Sequence, residues 1–146
     1  VFTSVRLENV EAVEKMREGI PLNDDDRWPW LDRIADALKS DAPLIIGCSA
    51  LRRTYRDRIR AGAGGPVTFV HLAGDRDLIA SRMASRSGHY MPLSLLDSQL
   101  ATLEVPTGEP GVVTVSELSS TTSASPVSSK AALQLAGKPM FSSRRT

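Results

Sequence analysis

Three short apolar runs, separated by segments of helical periodicity, constrain the fold of this chain more than any other feature. The runs are 44–48, 67–72 and 111–115. A continuous apolar run of this kind is typical of a strand that is buried on both faces, as in a parallel sheet. Strands that alternate with helices indicate βα units with helices packed on the sheet. The sequence therefore predicts an α/β fold of three layers, a parallel sheet with helices on both faces.

Helical periodicity fills the segments before, between and after these runs. Helices are predicted at 8–19, after the turn at 23–26, after residue 49, through 78–83 and through 94–103. Side chains that can cap a helix precede three of them. These are Asn23, Ser49, and Ser94 together with Asp97 in a spacing like that of a capping box. Gly19 is placed to end the first helix.

The chain divides into two parts by composition. Its 146 residues fit one domain, and a hydrophobic fraction of 41% is enough for a core. The last thirty residues are rich in Ser and Thr and contain Glu117 as their one acidic residue. Such a segment buries too little surface to offset the entropy of ordering it. We therefore expect one domain over 1–116 and a disordered tail over 117–146. Three strands are few for such a sheet, which is consistent with a missing strand and helix in front of Val1.

Charge and cysteine content narrow the function classes. The net charge is +1, and residues 1–116 carry more acidic than basic side chains, which argues against a nucleic-acid binder. No apolar run reaches the about 18–20 residues that span a bilayer, and the first residues lack the apolar core of a signal peptide. Cys48 is the single cysteine, which fits a reducing compartment. We expect a cytoplasmic protein without nucleic-acid or membrane partners.

The first candidate site is the segment 21–31, Pro-Leu-Asn-Asp-Asp-Asp-Arg-Trp-Pro-Trp-Leu. Three carboxylates and a guanidinium at a helix start could bind a polyol acid, because carboxylates accept hydrogen bonds from hydroxyls and a guanidinium donates to a carboxylate. The plainer interpretation is helix capping with Trp30 in the core, since acidic residues favour helix N-termini in any case. The residues alone favour capping.

The second candidate site is the segment 48–60, in which a strand end leads into an arginine-rich helix. A helix N-terminus at the carboxyl end of a strand offers amide groups and a favourable dipole to an anion. Arg52, Arg56 and Arg60 share one helix face at a spacing of four residues. The alternative is a solvated basic face with Asp57 as a salt-bridge partner. The pattern leaves both interpretations open.

The third candidate site contains Arg82 and Arg86, one helical turn apart, before a loop with His89. Arginines on a mobile lid suit phosphoryl transfer, which needs positive charge over the transferred group and exclusion of water. Two surface arginines flanking a turn are the simpler interpretation, which these residues alone favour. His89 is more often structural than catalytic, and no nearby carboxylate or cysteine cluster predicts a metal site.

In order and spacing, these segments resemble the gluconokinase family. The family shows a Pro-Leu-x-Asp-x-Asp-Arg-x-Pro-Trp-Leu block, a Cys-Ser-Ala-Leu-x-x-x-Tyr-Arg block, an Arg-x-x-x-Arg lid and a Ser-Gln-x-x-Thr-Leu-Glu block. Here they correspond to 21–31, 48–56, 82–91 and 98–104. The resemblance covers about residues 12–115, and four blocks in the same order make it specific.

The resemblance implies a P-loop kinase-like fold, truncated at its N-terminus, that transfers the γ-phosphate of ATP to the 6-hydroxyl of D-gluconate with Mg²⁺. It is compatible with a homodimer. It implies substrate-binding roles at the sugar-acid end for Asp24, Asp26, Arg27, Ser49, Arg52, Tyr55, Arg56 and His89. It also implies that Arg82 and Arg86 are catalytic lid arginines that contact the phosphates of ATP.

One part of the family pattern is absent from these residues. No lysine stands in a Gly-x-x-x-x-Gly-Lys-Ser/Thr setting, and Gly137-Lys138 is followed by Pro139, which supplies neither a hydroxyl nor an N–H. Three hypotheses follow. The chain is an ATP-dependent gluconate kinase, or a non-catalytic remnant that binds a sugar acid or a full-length subunit, or a nucleic-acid-binding module. The acidic balance of 1–116 argues against the third.

Overall fold

The computed structural model of the chain describes residues 10–40, 44–85, 92–116 and 130–135, the last of these by backbone alone. The helices within these ranges are α1 (Val10–Arg17), α2 (Asp24–Ala37), α3 (Arg53–Ala63), α4 (Arg76–Ala84) and α5 (Ser94–Thr102). The strands are β1 (Ile45–Cys48), β2 (Val67–Ala73), β3 (Val112–Ser116) and β4 (Lys130–Leu135). All neighbouring strands pair in parallel, in the order β1-β4-β2-β3. The predicted α/β class and parallel sheet are confirmed.

The three apolar runs of the sequence form β1, β2 and β3 within a residue or two of the expected positions. Alternate side chains of these strands point to one core, which they share with α2 and α3. Ile46 and Cys48 of β1 and Phe69 of β2 are buried there, and Val112 of β3 packs against them. Phe69 and Val112 are register partners, so they lie on the same face of the sheet.

Residues 130–135 differ from the expectation of a disordered tail. They form β4, which pairs with β1 on one side and with β2 on the other. A strand in this position supplies hydrogen-bond partners to the backbone of both neighbours, so its stabilisation comes from backbone pairing. The periodicity of side chains along the sequence does not indicate this kind of stabilisation. The division of the chain at residue 116 itself stays a prediction.

The start of α2 is formed by the local residues that the sequence indicates. The Asn23 side chain accepts from the Asp26 amide at 2.8 Å, and the Asp26 side chain accepts from the Asn23 amide at 3.1 Å. This reciprocal pair is a capping box. Leu31, Ile34 and Leu38 are fully buried, as their spacing predicts.

The cap predicted from Ser49 is wrong. α3 begins at Arg53, and its N-cap residue is Arg52, whose side chain makes no capping hydrogen bond. The amide of Arg53 donates instead to Oε2 of Glu104 at 2.8 Å. A carboxylate from a distant part of the chain therefore takes the role that the sequence suggested for a local hydroxyl.

The capping pair predicted at the start of α5 is also wrong. The N-cap residue of α5 is Leu93, and no side chain caps the helix. Asp97 instead forms a bidentate pair with Arg76 at the start of α4, at 2.5 and 2.9 Å. The two helices also share a second apolar cluster, which consists of Ile79, Met83, Leu95 and Leu96.

A glycine allows α2 and α3 to approach closely. A Cβ atom added to Gly62 of α3 would lie 2.6 Å from the Cβ of Ala35 in α2, well inside van der Waals contact. Gly64, with a φ of 67°, then ends α3 in the left-handed region that favours glycine. The close approach matters because these two helices bring the candidate site residues together.

We expect Gly62→Ala to destabilise the fold, because the added methyl group overpacks the contact with Ala35, and overpacking alone costs about 1–3 kcal/mol. Helix propensity acts in the opposite direction by about 1 kcal/mol. Urea unfolding measures the difference. Gly65→Ala is the control, since a Cβ there meets nothing within 4 Å. A Gly62→Ala protein more stable than the wild type would contradict the close helix contact.

Candidate functional site

The N-termini of α2 and α3 meet at the carboxyl end of β1. The phenol O–H of Tyr55 donates to Oδ1 of Asp24. Nη1 of Arg52 lies 3.7 Å from Oδ2 of the same carboxylate, and both of these side chains are about half exposed. Together with Arg27, these residues form what we call the tyrosine cluster: Asp24, Arg27, Arg52 and Tyr55. The structure thus brings together four of the residues to which the resemblance assigns the sugar acid.

Arg27 is the buried cation of the tyrosine cluster, with 7% of its surface exposed. Its Cζ lies 5.5 Å from the centre of the Tyr55 ring, and the Cζ of Arg52 lies 5.9 Å from the same ring. Trp28 packs edge-on against this ring, with the ring centres 5.5 Å apart. Two guanidinium groups therefore contact one aromatic ring, which is a favourable arrangement for cations.

The tyrosine cluster carries an excess of positive charge. It holds two guanidinium groups and one carboxylate, and Nε of Arg27 has no hydrogen-bond partner among the described residues. Burial lowers the pKa of Arg27 below its ordinary value, and burial followed by the hydrogen bond to Asp24 raises the pKa of Tyr55 above its ordinary 10.0. The phenol therefore stays protonated at neutral pH. Such a cluster can bind an anion through guanidinium groups and hydroxyls through the carboxylate.

Asp26 lies next to the tyrosine cluster, but protein groups already occupy its carboxylate. Oδ1 accepts from Nζ of Lys15 at 2.7 Å, and Oδ2 accepts from the amide of Asn23. The hydrogen bond from Lys15 is the largest cause that lowers the pKa of Asp26. The carboxylate thus joins α1 to α2 and caps α2. The predicted contact of Asp26 with a sugar acid stays a prediction.

Arg56 has a structural position that differs from the predicted substrate contact. It is 1% exposed, and its guanidinium faces the protein interior. Nε and Nη2 donate to the carboxylate of Glu109 at 2.7–3.0 Å. Nη1 donates to the carbonyls of Ala50 and Leu51 at 2.9 and 3.2 Å, and Nη2 also donates to the carbonyl of Glu104 at 3.2 Å. These bonds use all five N–H groups of the side chain, so none is left for a ligand.

Glu104 and Glu109 have roles that the sequence reasoning did not assign. Glu104 belongs to the fourth family block, and its carboxylate caps α3 through the amide of Arg53. Glu109 compensates the buried charge of Arg56 and also contacts Arg60 at 2.8 Å. A glutamate in a Gly-Glu-Pro turn gives no local signal of this kind.

The remaining predicted site residues are not joined to the tyrosine cluster by a described contact. Ser49 lies half-buried in the turn after β1. Arg82 lies in the last turn of α4 and is exposed. Arg86 and His89 lie outside the described residues. The roles implied for these four residues by the resemblance therefore stay predictions.

The described residues do not fit Mg²⁺-ATP by themselves. They include no group of three or more His, Cys, Asp or Glu side chains that could hold a metal ion. The sequence also contains no Gly-x-x-x-x-Gly-Lys-Ser/Thr loop, whose amides, lysine and hydroxyl hold phosphates and metal in P-loop enzymes. The groups of the tyrosine cluster suit the recognition of an anionic, hydroxylated ligand.

Known proteins with similar sequences are gluconokinases. The chain is 46% identical over 108 residues to a gluconokinase of Gluconobacter oxydans, covering 71% of this chain and 60% of the relative. It is 44% identical over 104 residues to the thermosensitive gluconokinase of Escherichia coli, covering 68% and 55%. It is 40% identical over 122 residues to a probable gluconokinase of Mus musculus, covering 70% and 66%. The chain thus spans 55% to 66% of the length of these relatives. No protein-family model matches it.

Two solved structures share the fold. A gluconokinase from Sinorhizobium meliloti superposes with a TM-score of 0.70 and 50% identity, covering 79% of this chain and 66% of that one. A sugar kinase from Janibacter superposes with a TM-score of 0.71 and 42% identity, covering 79% and 69%. The kinase-like fold that the sequence blocks imply is therefore confirmed.

We expect Glu109→Gln to destabilise the fold by about 1–3 kcal/mol at neutral pH, because a buried guanidinium loses its charged acceptor. Arg56, and then Arg60, hold the pKa of Glu109 below its ordinary 4.5. The contribution of the carboxylate is therefore complete above pH 4.5 and is lost as the pH falls through the lower folded-state pKa.

Urea unfolding of both proteins at several pH values measures this difference. The gap in the free energy of unfolding should be largest near pH 7 and should shrink under acid conditions. Asp36→Asn is the control, because its exposed pair with Lys39 contributes less than about 0.5 kcal/mol. A gap that does not change with pH would contradict the charged pairing of Glu109.

Proposed function

Since the chain belongs to the gluconokinase family of sugar kinases, we propose that it serves the ATP-dependent phosphorylation of D-gluconate at the 6-hydroxyl. The described residues supply the sugar-acid side of this reaction. The observation that carries the proposal is the excess of positive charge within the four residues of the tyrosine cluster. Arg27 and Arg52 contact one ring, and the carboxylate of Asp24 lies beside them. The neighbouring carboxylate of Asp26 is already paired with Lys15.

The carboxylate of gluconate fits this charge. A guanidinium is planar and donates hydrogen bonds in pairs, which matches the geometry of a carboxylate. Nε of Arg27 is buried and lacks a partner among the described residues, and a buried donor of this kind gains most from an anionic acceptor. The half-exposed side chain of Arg52, next to the same ring, supplies a second donor.

The hydroxyl groups of the sugar acid fit the remaining groups. Oδ2 of Asp24 is an acceptor for a hydroxyl, and the phenol oxygen of Tyr55, which donates to Asp24, keeps acceptor capacity. With the carboxylate fixed at one end of the six-carbon chain, the terminal hydroxyl at the other end has a restricted range of positions. Fixing a reactant in this way lowers the entropic part of the barrier.

The phosphate side of the reaction rests on the resemblance. ATP with Mg²⁺ would supply the phosphoryl group, and Arg82 and Arg86 would cover the phosphates, with His89 near the substrate. The described helices include none that is long and apolar enough to span a membrane. A cytoplasmic location and assembly as a homodimer complete the proposal.

A second candidate function is sugar-acid binding without phosphoryl transfer. It is supported by the tyrosine cluster, whose guanidinium groups and carboxylate suit the recognition of a sugar acid without any phosphate contact. Two measurements on the purified chain separate the candidates. Calorimetric titration with gluconate measures binding, and a coupled assay with ATP, Mg²⁺ and gluconate measures turnover. Binding with turnover supports the kinase, binding without turnover supports the second candidate, and the absence of both would reject the proposal.

We expect Arg27→Gln to weaken gluconate binding by about 10- to 100-fold, because the ligand carboxylate loses a charge-assisted hydrogen bond. Calorimetric titration measures the Kd. The matched control is Arg33→Gln, which removes an exposed arginine from the same helix and should change the Kd by less than about twofold. Equal losses in both variants would show that only the net charge of the chain matters, and an unchanged Kd in Arg27→Gln would place the carboxylate elsewhere.

A further inference from the structure

Behind the tyrosine cluster lies a buried charge network, which consists of Arg56, Arg60 and Glu109. Nη2 of Arg56 lies 2.7 Å from Oε2 of Glu109, and Nη1 of Arg60 lies 2.8 Å from Oε1. The side chains of Arg56 and Glu109 are 1% and 4% exposed, whereas that of Arg60 is 24% exposed. Both carboxylate oxygens of Glu109 are therefore engaged, and the orientation of the Arg56 guanidinium is fixed.

The opposite side of the Arg56 guanidinium holds the turn between β1 and α3. Nη1 donates to the carbonyls of Ala50 and Leu51 in this turn, and Nη2 donates to the carbonyl of Glu104. Glu104 returns two bonds to the same turn. Its amide donates to the Leu51 carbonyl at 2.8 Å, and its carboxylate accepts from the Arg53 amide at 2.8 Å.

This turn carries the residues of the tyrosine cluster that come from α3. Arg52 is the N-cap residue of α3, and Tyr55 follows within the first turn of the helix. The amide of Tyr55 donates to the carbonyl of Arg52 at 3.1 Å, so the two residues move together. Their positions relative to Asp24 therefore depend on how firmly the turn is held.

We propose that Glu109 is a positioning residue for the sugar-acid site: through Arg56 it fixes the turn that presents Arg52 and Tyr55 to the ligand. The proposal rests on the proposed function for its ligand. Glu109 makes no described contact with the tyrosine cluster, so its effect passes through the guanidinium. A charged side chain that is removed from water needs its counter-charge and its full set of acceptors to stay in one orientation. Without the Glu109 carboxylate, the guanidinium loses the counter-charge that holds it in the orientation in which it donates to the carbonyls of the turn.

A purely structural role for the network makes a different prediction. If Glu109 only adds stability, any variant that folds should bind gluconate normally. If Glu109 positions the turn, a stable variant without the charges should still bind poorly. Replacing a buried ion pair with apolar residues often leaves stability unchanged or raised, whereas removing one partner lowers it. The double variant Arg56→Met with Glu109→Leu separates these two roles.

Two measurements on the full chain test the proposal. Calorimetric titration gives the Kd for gluconate, and hydrogen exchange reports on the amides of Arg53 and Tyr55, with the buried α2 residues Leu31 and Ile34 as an internal reference. In Glu109→Gln and in the double variant we expect a Kd increase and faster exchange at Arg53 and Tyr55, each on the order of tenfold. Exchange at Leu31 and Ile34 should keep its wild-type rate in the double variant.

The control is Asp32→Asn, which removes a bidentate but exposed pair with Arg58 between α2 and α3. It should leave the Kd and the exchange at Arg53 and Tyr55 within about twofold of the wild type. Wild-type gluconate affinity in the double variant would overturn the proposal. If the wild-type chain itself does not bind gluconate, the proposed function fails. The exchange measurement then still decides, because unchanged rates at Arg53 and Tyr55 would show that Glu109 does not hold the turn.

Discussion

The rest of the site depends on the ion pair and the hydrogen bonds of the buried Arg56 guanidinium. A cation that is 1% exposed must have its charge compensated and each N–H group bonded, because an unpaired buried charge costs several kcal/mol. Glu109 supplies the charge, and three backbone carbonyls supply the remaining acceptors. Two segments that are far apart in the sequence, 50–52 and 104–109, are thereby held against each other. The N-terminus of α3 has its position because of this arrangement.

The opposite wall of the site is fixed by packing. α2 approaches α3 closely at Ala35 and Gly62, and the buried side chains of Leu31 and Ile34 fill the space beneath. The hydrogen bond from Tyr55 to Asp24 then joins the two helix starts. Polar groups are thus placed by an apolar contact on one side and by a buried ion pair on the other. A ligand that meets them finds two cations already held in place, which reduces the ordering cost of binding.

Features that depend on residues close in sequence could be predicted, and features that depend on distant partners could not. The strands followed from apolar runs, and the cap of α2 followed from Asn23, whose side chain accepts from an amide only three residues away. The cap of α3 comes from Glu104, whose carboxylate accepts a hydrogen bond from the amide of Arg53, 51 residues away in the sequence. The local hydroxyl of Ser49 was therefore a misleading signal. β4 pairs with two strands formed by distant segments, and its own periodicity does not reveal them.

Arg56 shows the same limit, because helical spacing does not distinguish a ligand-binding arginine from a buried one. The family blocks contain the residues of the tyrosine cluster, but they did not separate these residues from Arg56, which is buried.

A sugar acid is proposed to bind where the N-termini of α2 and α3 meet. The most direct test is an NMR titration of the isotope-labelled chain with gluconate, followed through the backbone amides. We expect saturable shifts at the amides of residues 24–28 and 52–55, with much smaller changes along α4 and α5. Shifts confined to α4 and α5, or no saturable shift at any amide, would contradict it.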